Sequence, residues 1–208
     1  MIVLIFLCAP ISLIYAQDIE KKVTPPKTIS YDDRTLNYNP AWEDKEIYLE
    51  ANLDNDADKE VVIGFVASYK PTSSIQEEKR ESYDVPKQEL TLIQNYCFYQ
   101  IYDKGPDGYY ALVKTIHGMD RLGKVETVKL DEKGPDAIAI FSPGGEHYED
   151  LSIYRFRDGG YRLLFDQGTS GTTELGTQKT PVSIRICNGE KCEIFVWDPS
   201  VQAFKHAQ

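Results

Sequence analysis

This 208-residue chain has fewer basic than acidic residues, and this composition excludes one large class of function. There are 23 Lys and Arg against 33 Asp and Glu, which gives a formal net charge of −10. Proteins that bind nucleic acids through the phosphate backbone need clustered Lys and Arg. The sequence therefore predicts no nucleic-acid partner, and its acidity is compatible with cation binding.

Histidine is also scarce, and the usual catalytic signatures are missing. The chain has no phosphate-binding loop, no dinucleotide fingerprint, no zinc-protease helix motif and no Gly-x-Ser-x-Gly elbow. One alternative is left, in which Glu146, His147 and Asp150 form an acid–base or metal site on a turn. We predict no catalytic or cofactor-binding residues and favour a non-enzymatic function.

A long apolar run occurs only at the N terminus. Residues 1–16 are almost wholly apolar and end in Ala16, although no Lys or Arg precedes them. The run has the length of a signal-peptide core and is too short for a stable transmembrane anchor. We predict that residues 1–16 are a signal peptide and that the protein is exported, either to the periplasm or as a secreted protein. The alternative is an uncleaved interfacial anchor.

Cysteine is rare as well, with four residues, of which Cys8 falls in the predicted signal peptide. Cys187 and Cys192 flank Asn188-Gly189, a strong turn signal between two segments that alternate like strands. In an oxidising compartment they could form a disulfide. The alternative, half of a zinc site, lacks a second Cys or His pair. Cys97 lies among aromatic residues and is predicted to be a buried core thiol.

Tyrosine, in contrast, is abundant, with 14 residues, and it suits half-buried strands. One theme recurs, in which an aromatic-rich strand is followed by a turn with Asp, Gly or Pro and then by an apolar strand. This theme predicts hairpins over 97–113, 151–165 and 194–204. Residues 17–45 show no clear period and include Pro25-Pro26, so we predict an N-terminal arm or linker there.

The segment before the hairpin repeats too. Residues 51–63 and 128–140 both contain a strand that ends in Leu-Asp, a short loop and an apolar strand. Repeats of roughly forty to fifty residues are typical of β-propeller blades, and about three or four fit into this chain. We predict an all-β, antiparallel β-repeat domain over 46–208. It is either a partial or small β-propeller or a β-sandwich, since propellers typically have about four to eight blades.

One acidic loop carries the sharpest chemical signal. Oxygen-bearing side chains occupy every second position, at Asn52, Asp54, Asp56, Asp58 and Glu60. Calcium takes about six to eight oxygen ligands, and a tight loop can supply several of them. Without a cation these carboxylates would repel one another. Asn55 suits the left-handed backbone position of a sharp loop.

This loop resembles the calcium loop of the FG-GAP and VCBS-type repeats of integrin-like β-propellers. The family pattern is roughly Asp-x-Asp-Gly-Asp-Gly-x-x-Asp/Glu before an apolar strand, and Asn52 and Ala57 depart from it here. The resemblance implies that Asn52, Asp54, Asp56 and Glu60 are side-chain ligands and that Asp58 offers its backbone carbonyl. In the second copy Lys129 and Lys133 occupy ligand positions, so no metal is expected there.

Together these features predict an exported, non-enzymatic β-repeat module that binds a protein or glycan partner and is stabilised by calcium at one loop. Two alternatives stay open. One is an envelope hydrolase with a site centred on His147, and the other is a structural envelope protein without any ligand.

Overall fold

The computed structural model describes residues 23–40, 47–69, 94–119, 121–145, 147–177 and 181–207. These residues form 14 strands and no helix, and every strand pair is antiparallel. The predicted all-β, antiparallel fold is therefore confirmed. The described residues contain no helix that could cross a membrane. The predicted signal peptide, 1–16, lies outside the described residues.

The first sheet has six strands. They are β1 (Thr28–Tyr31), β2 (Arg34–Tyr38), β3 (Ile47–Ala51), β4 (Glu60–Tyr69), β5 (Gln94–Lys104) and β6 (Tyr110–His117). Strands β3 to β6 form an up-and-down meander, and β2 pairs with the same edge of β4 as β3 does, further along the strand.

Two four-stranded sheets follow, and each is again an up-and-down meander. The second sheet contains β7 (Lys124–Val128), β8 (Ala137–Gly144), β9 (Tyr148–Arg157) and β10 (Gly160–Thr169). The third contains β11 (Thr172–Gly176), β12 (Ser183–Asn188), β13 (Lys191–Asp198) and β14 (Ala203–His206). A four-stranded meander that repeats along the chain is the connectivity of propeller blades.

The sheets stack face to face, and apolar side chains fill the space between them. Central strands β4 and β8 are buried on both faces, which explains why their sequences are nearly continuous apolar runs. On β8, Ile138 and Ile140 pack toward the first sheet, whereas Phe141 packs toward the third. On the opposite face of β4 and β5, the β1–β2 hairpin of the same sheet packs against the apolar side chains, and its Leu36 is fully buried.

The β1–β2 hairpin falls within residues 17–45, where the sequence analysis did not predict strands. Its two turn residues, Asp32 and Asp33, both have positive φ, of 50° and 58°. Positive φ at both central positions defines a type I′ turn, which usually contains Asn or Gly. The Asp-Asp pair gave no such signal, and the hairpin is held by packing. The Tyr31 ring stacks on His117 of β6 with the centroids 4.4 Å apart.

Gly123 fixes the approach of the first two sheets, and this gives a testable prediction. Its N–H donates to the Tyr99 hydroxyl at 2.9 Å, and an added Cβ would lie 1.5 Å from the Phe141 carbonyl oxygen. We expect Gly123→Ala to lower the free energy of unfolding by about 2 kcal/mol, because backbone must move to admit the methyl group. Gly160→Ala is the matched control, since no atom of the described residues other than its two chain neighbours lies within 4 Å of its added Cβ. Urea denaturation measures both variants, and equal stabilities would contradict the prediction.

Candidate cation site

The acidic loop connects β3 to β4 at one end of the first sheet. The last residue of β3, Ala51, pairs with the first residue of β4, Glu60, so the loop between them is closed at its base. Its neighbour is the corresponding β7–β8 loop of the second sheet, where the Asp136 N–H donates to the Asn52 carbonyl at 3.3 Å. The loop therefore lies where the first and second sheets meet.

Short hydrogen-bonded turns give the loop its shape. The Asn52 side-chain oxygen accepts from the Asn55 N–H at 2.9 Å, and Asp54 accepts from the Asp56 N–H at 3.0 Å. Asp56 in turn accepts from the Asp58 N–H at 2.8 Å. Asn55 has a φ of 73°, so the predicted left-handed position is confirmed. In each of these aspartates one carboxylate oxygen holds the backbone, and the other is not used by these bonds.

Three carboxylates converge at this loop. Asp54, Asp56 and Asp103 each offer one oxygen, and the three oxygens lie within 4.8 Å of one another. Asp103 comes from β5 rather than from the loop. Its pKa is raised, first by burial and then by the negative charges of Asp54 and Asp56. Among the described residues, no Lys, Arg or His forms an ion pair with these three carboxylates.

Glu60, the first residue of β4, is completely buried. One of its carboxylate oxygens accepts from the Leu53 N–H, and the other has no hydrogen-bond partner among the described residues. Burial raises the pKa of Glu60 to about 7; the Leu53 hydrogen bond opposes this shift, and the charge of Asp54 adds to it. A buried carboxylate without full hydrogen bonding is costly, and a nearby cation would lower that cost.

The second sheet also contributes to the surroundings of the site. Tyr161 of β10 is 8% exposed, and its ring packs against Phe156 with the centroids 5.3 Å apart. The pKa of the Tyr161 phenol is strongly raised, first by burial and then by the nearby carboxylates of Glu60 and Asp54. The acidic group thus faces a tyrosine of the neighbouring sheet.

Not all the predicted ligands belong to the converging group. The carboxylates of Asp54 and Asp56 do, whereas those of Asp58 and Glu60 lie outside it, and for Asp58 the predicted ligand is the backbone carbonyl. Asn52 uses both ends of its amide within the loop, since its nitrogen also donates to the Asp56 carbonyl. Asp103 was missed by the sequence analysis. The sequence carries no local signal for it, because only the β4–β5 register, which pairs Val61 with Tyr102, places Asp103 next to the start of β4.

In the second copy of the loop, basic side chains of the protein itself lie next to the carboxylates. The Lys129 ammonium lies 3.2 Å from an Asp136 oxygen and donates to the Gly134 carbonyl at 2.9 Å. Arg155 lies 2.6 Å from Asp131, and the Trp197 indole N–H donates to the same carboxylate at 2.9 Å. In this loop basic side chains neutralise Asp131 and Asp136, whereas the first loop has no such partners among the described residues.

The turn proposed for an acid–base site is less informative. His147 is exposed, and no hydrogen bond or ion pair joins it to a described residue. Glu146 lies outside the described residues. Asp150 instead lies near Asp166, and the Ser152 hydroxyl oxygen is within hydrogen-bond distance of both carboxylates, at 3.2 Å and 2.9 Å. The described residues therefore give the hydrolase alternative no geometric support.

Comparison with known proteins yields no match to any protein-family model, curated protein or solved structure. The resemblance to FG-GAP and VCBS-type repeats rests on the loop motif and, loosely, on the repeat pattern, and it stays a prediction.

Proposed function

We propose that this protein is an exported, non-enzymatic β-repeat module that binds calcium at its acidic loop and uses the calcium-ordered end of the first sheet to bind a protein or glycan. The observation that carries the proposal is the convergence of Asp54, Asp56 and Asp103, with no ion pair among the described residues to neutralise them. The β7–β8 loop, with its built-in Lys and Arg partners, provides the contrast.

The donor atoms favour calcium over other metals. The group consists of carboxylate oxygens, and no Cys or His takes part in it, which disfavours zinc and copper. Calcium accepts irregular sets of about six to eight oxygens, so backbone carbonyls and water can complete the shell beside the exposed Asp56. Magnesium demands near-ideal octahedral geometry and would fit a strand-and-loop site of this kind less well.

The position of Asp103 links the cation to a surface that a partner can reach. Asp103 belongs to the β5–β6 hairpin, where it pairs with Ala111. The same hairpin exposes Tyr109, Leu112 and Val113, which are 57%, 50% and 45% exposed. A cation that holds Asp103 against the β3–β4 loop would fix this hairpin and preorganise its exposed side chains for binding.

Export is supported by the disulfide between Cys187 and Cys192. Disulfides form and persist in oxidising compartments and are rare in the cytosol, so the bond indicates a location outside the cytoplasm. The further step, that residues 1–16 direct export to the periplasm or the medium, belongs to the proposal.

Calorimetric titration tests the calcium site directly. We expect calcium added to the metal-free full chain to bind at one site. Asp103→Asn and Asp56→Ala should each weaken this binding by about tenfold or more, since each removes a ligand. Glu132→Gln is the matched control, because it removes one negative charge from an exposed position of the β7–β8 loop. Magnesium should compete only weakly.

If no heat of calcium binding is measured, or if Asp103→Asn binds like Glu132→Gln, the proposed site is wrong. The first result would favour the alternative of a structural protein without a ligand.

A further inference from the structure

The β12–β13 hairpin carries a disulfide between directly opposite residues. Cys187 and Cys192 are register partners in the ladder, with their Cα atoms 4.0 Å apart, and they are bonded to each other. The innermost pair of the hairpin is Asn188 with Lys191, and Gly189 adopts the positive φ, 63°, that the tight turn requires. The bond therefore links two residues that the strand ladder already places side by side.

This disulfide adds little to what the fold already provides. The hairpin is paired from Ser183 with Val196 out to the turn, and its Ile184 and Ile186 are buried in the core between the second and third sheets. A disulfide stabilises mainly by restricting the unfolded chain, and a short closed loop restricts it least. We therefore expect the reduced hairpin to stay folded.

The surroundings of the bond favour reaction with thiols. Cys192 is exposed, and the Arg185 guanidinium nitrogen lies 3.6 Å from its sulfur. A neighbouring cation stabilises a thiolate, and exposed disulfides are the labile ones. Cys97, in contrast, is completely buried.

We propose that Cys187–Cys192 is a thiol–disulfide exchange site for a dithiol reductant. A thiolate of the dithiol attacks the Cys192 sulfur, a mixed disulfide forms, and Cys187 leaves as a thiolate that takes up a proton. The second thiolate of the reductant then attacks its own bonded sulfur, and Cys192 leaves as a thiolate beside Arg185. When the Cys192 thiolate also takes up a proton, the protein has gained two electrons and two protons in all, and the dithiol has become a cyclic disulfide. Arg185 accelerates the exchange because the transition state spreads negative charge over three sulfurs.

The test uses the full chain with Cys8→Ser, reduced dithiothreitol and timed alkylation read by mass spectrometry. We expect Cys187 and Cys192 to be alkylated together while Cys97 stays protected and the far-ultraviolet circular dichroism stays unchanged. Arg185→Gln should slow the reaction by about three- to tenfold, and Arg185→Lys should retain most of the rate. Arg162→Gln, at an exposed arginine on β10, is the control and should react like the parent.

Three results would overturn the proposal. If Cys97 is labelled as fast as the pair, the bond reacts only through unfolding. If the native protein resists reduction altogether, the bond is a structural link. If Arg185→Gln reacts at the parent rate, the guanidinium has no part in the exchange. Because Cys97 reports unfolding inside the same molecule, a variant that fails to fold is recognised at once.

Discussion

Replacing Glu60 by Gln is expected to make the calcium-free protein more stable at pH 8, by on the order of 3 kcal/mol at most. The pKa of Glu60 is about 7 in the folded protein, against 4.5 as its ordinary value. At pH values between 4.5 and 7, Glu60 is therefore protonated in the folded state but already ionised in the unfolded state. The free energy of unfolding falls as the pH rises through this window, and the full cost is present above pH 7. Gln carries no charge and removes this cost.

Urea denaturation of both proteins in a calcium chelator, from pH 4.5 to pH 8, measures the effect. The difference between the two isolates Glu60, because all other titrating groups are shared. The advantage of the Gln variant should vanish near pH 4.5, where Glu60 is protonated in the folded state. Saturating calcium should shrink it at pH 8, because a cation beside Asp54 and Asp103 stabilises the Glu60 carboxylate. If the free energies of unfolding of the two proteins change in parallel with pH, burial does not raise the pKa of Glu60.

Arg155→Leu is expected to cost about 3–5 kcal/mol, which is the usual effect of removing one partner from a buried ion pair. The Arg155 and Asp131 side chains are 9% and 25% exposed and lie 2.6 Å apart. Without Arg155, the Asp131 carboxylate keeps the hydrogen bond from the Trp197 indole N–H but loses its neutralising charge. The pair lies beside the core between the second and third sheets, so the loss should weaken the packing of Trp197 as well.

The control lies two residues further along β9. Arg157 pairs with Asp158, but these side chains are 48% and 73% exposed, so Arg157→Leu should change the stability by less than about 0.5–1 kcal/mol. The double variant Arg155→Leu with Asp131→Leu should recover much of the loss, because apolar groups of similar volume can replace a buried pair. Thermal and urea unfolding of the three variants measure this. A cost below about 1 kcal/mol for Arg155→Leu would contradict the prediction.

The contrast between the two loops explains why one of them can be a cation site. Both have the same β-strand, Leu-Asp, loop, β-strand pattern. In the second loop, Lys129 stands at the position of Asn52, and Arg155 pairs with Asp131. Side chains of the protein therefore supply the positive charge there. In the first, the carboxylates face one another, and Asp103 increases the negative charge. The β3–β4 and β7–β8 loops thus join strands in the same way and differ in a few charged side chains.

Local sequence determined most of the strands, the three predicted hairpins and the shape of the acidic loop, whereas the β1–β2 hairpin had no local sequence signal. Alternation with a period of two, Gly-containing turns at 105–108 and 158–159, and the left-handed Asn55 all act within a few residues. The pairing of Cys187 with Cys192 is also local, because the turn between them sets the register.

Tertiary structure alone decided which carboxylates meet. Asp103 reaches Asp54 and Asp56 only because β5 pairs with β4 in one register, and the two strands are far apart in sequence. The burial of Glu60 and the approach of Tyr161 likewise depend on how the second sheet packs on the first. Turn residues and hydrophobic periodicity depend on residues that are close in sequence, so they can be recognised from the sequence. The charge and solvation of this site depend on residues that are distant in sequence and meet only in the folded protein.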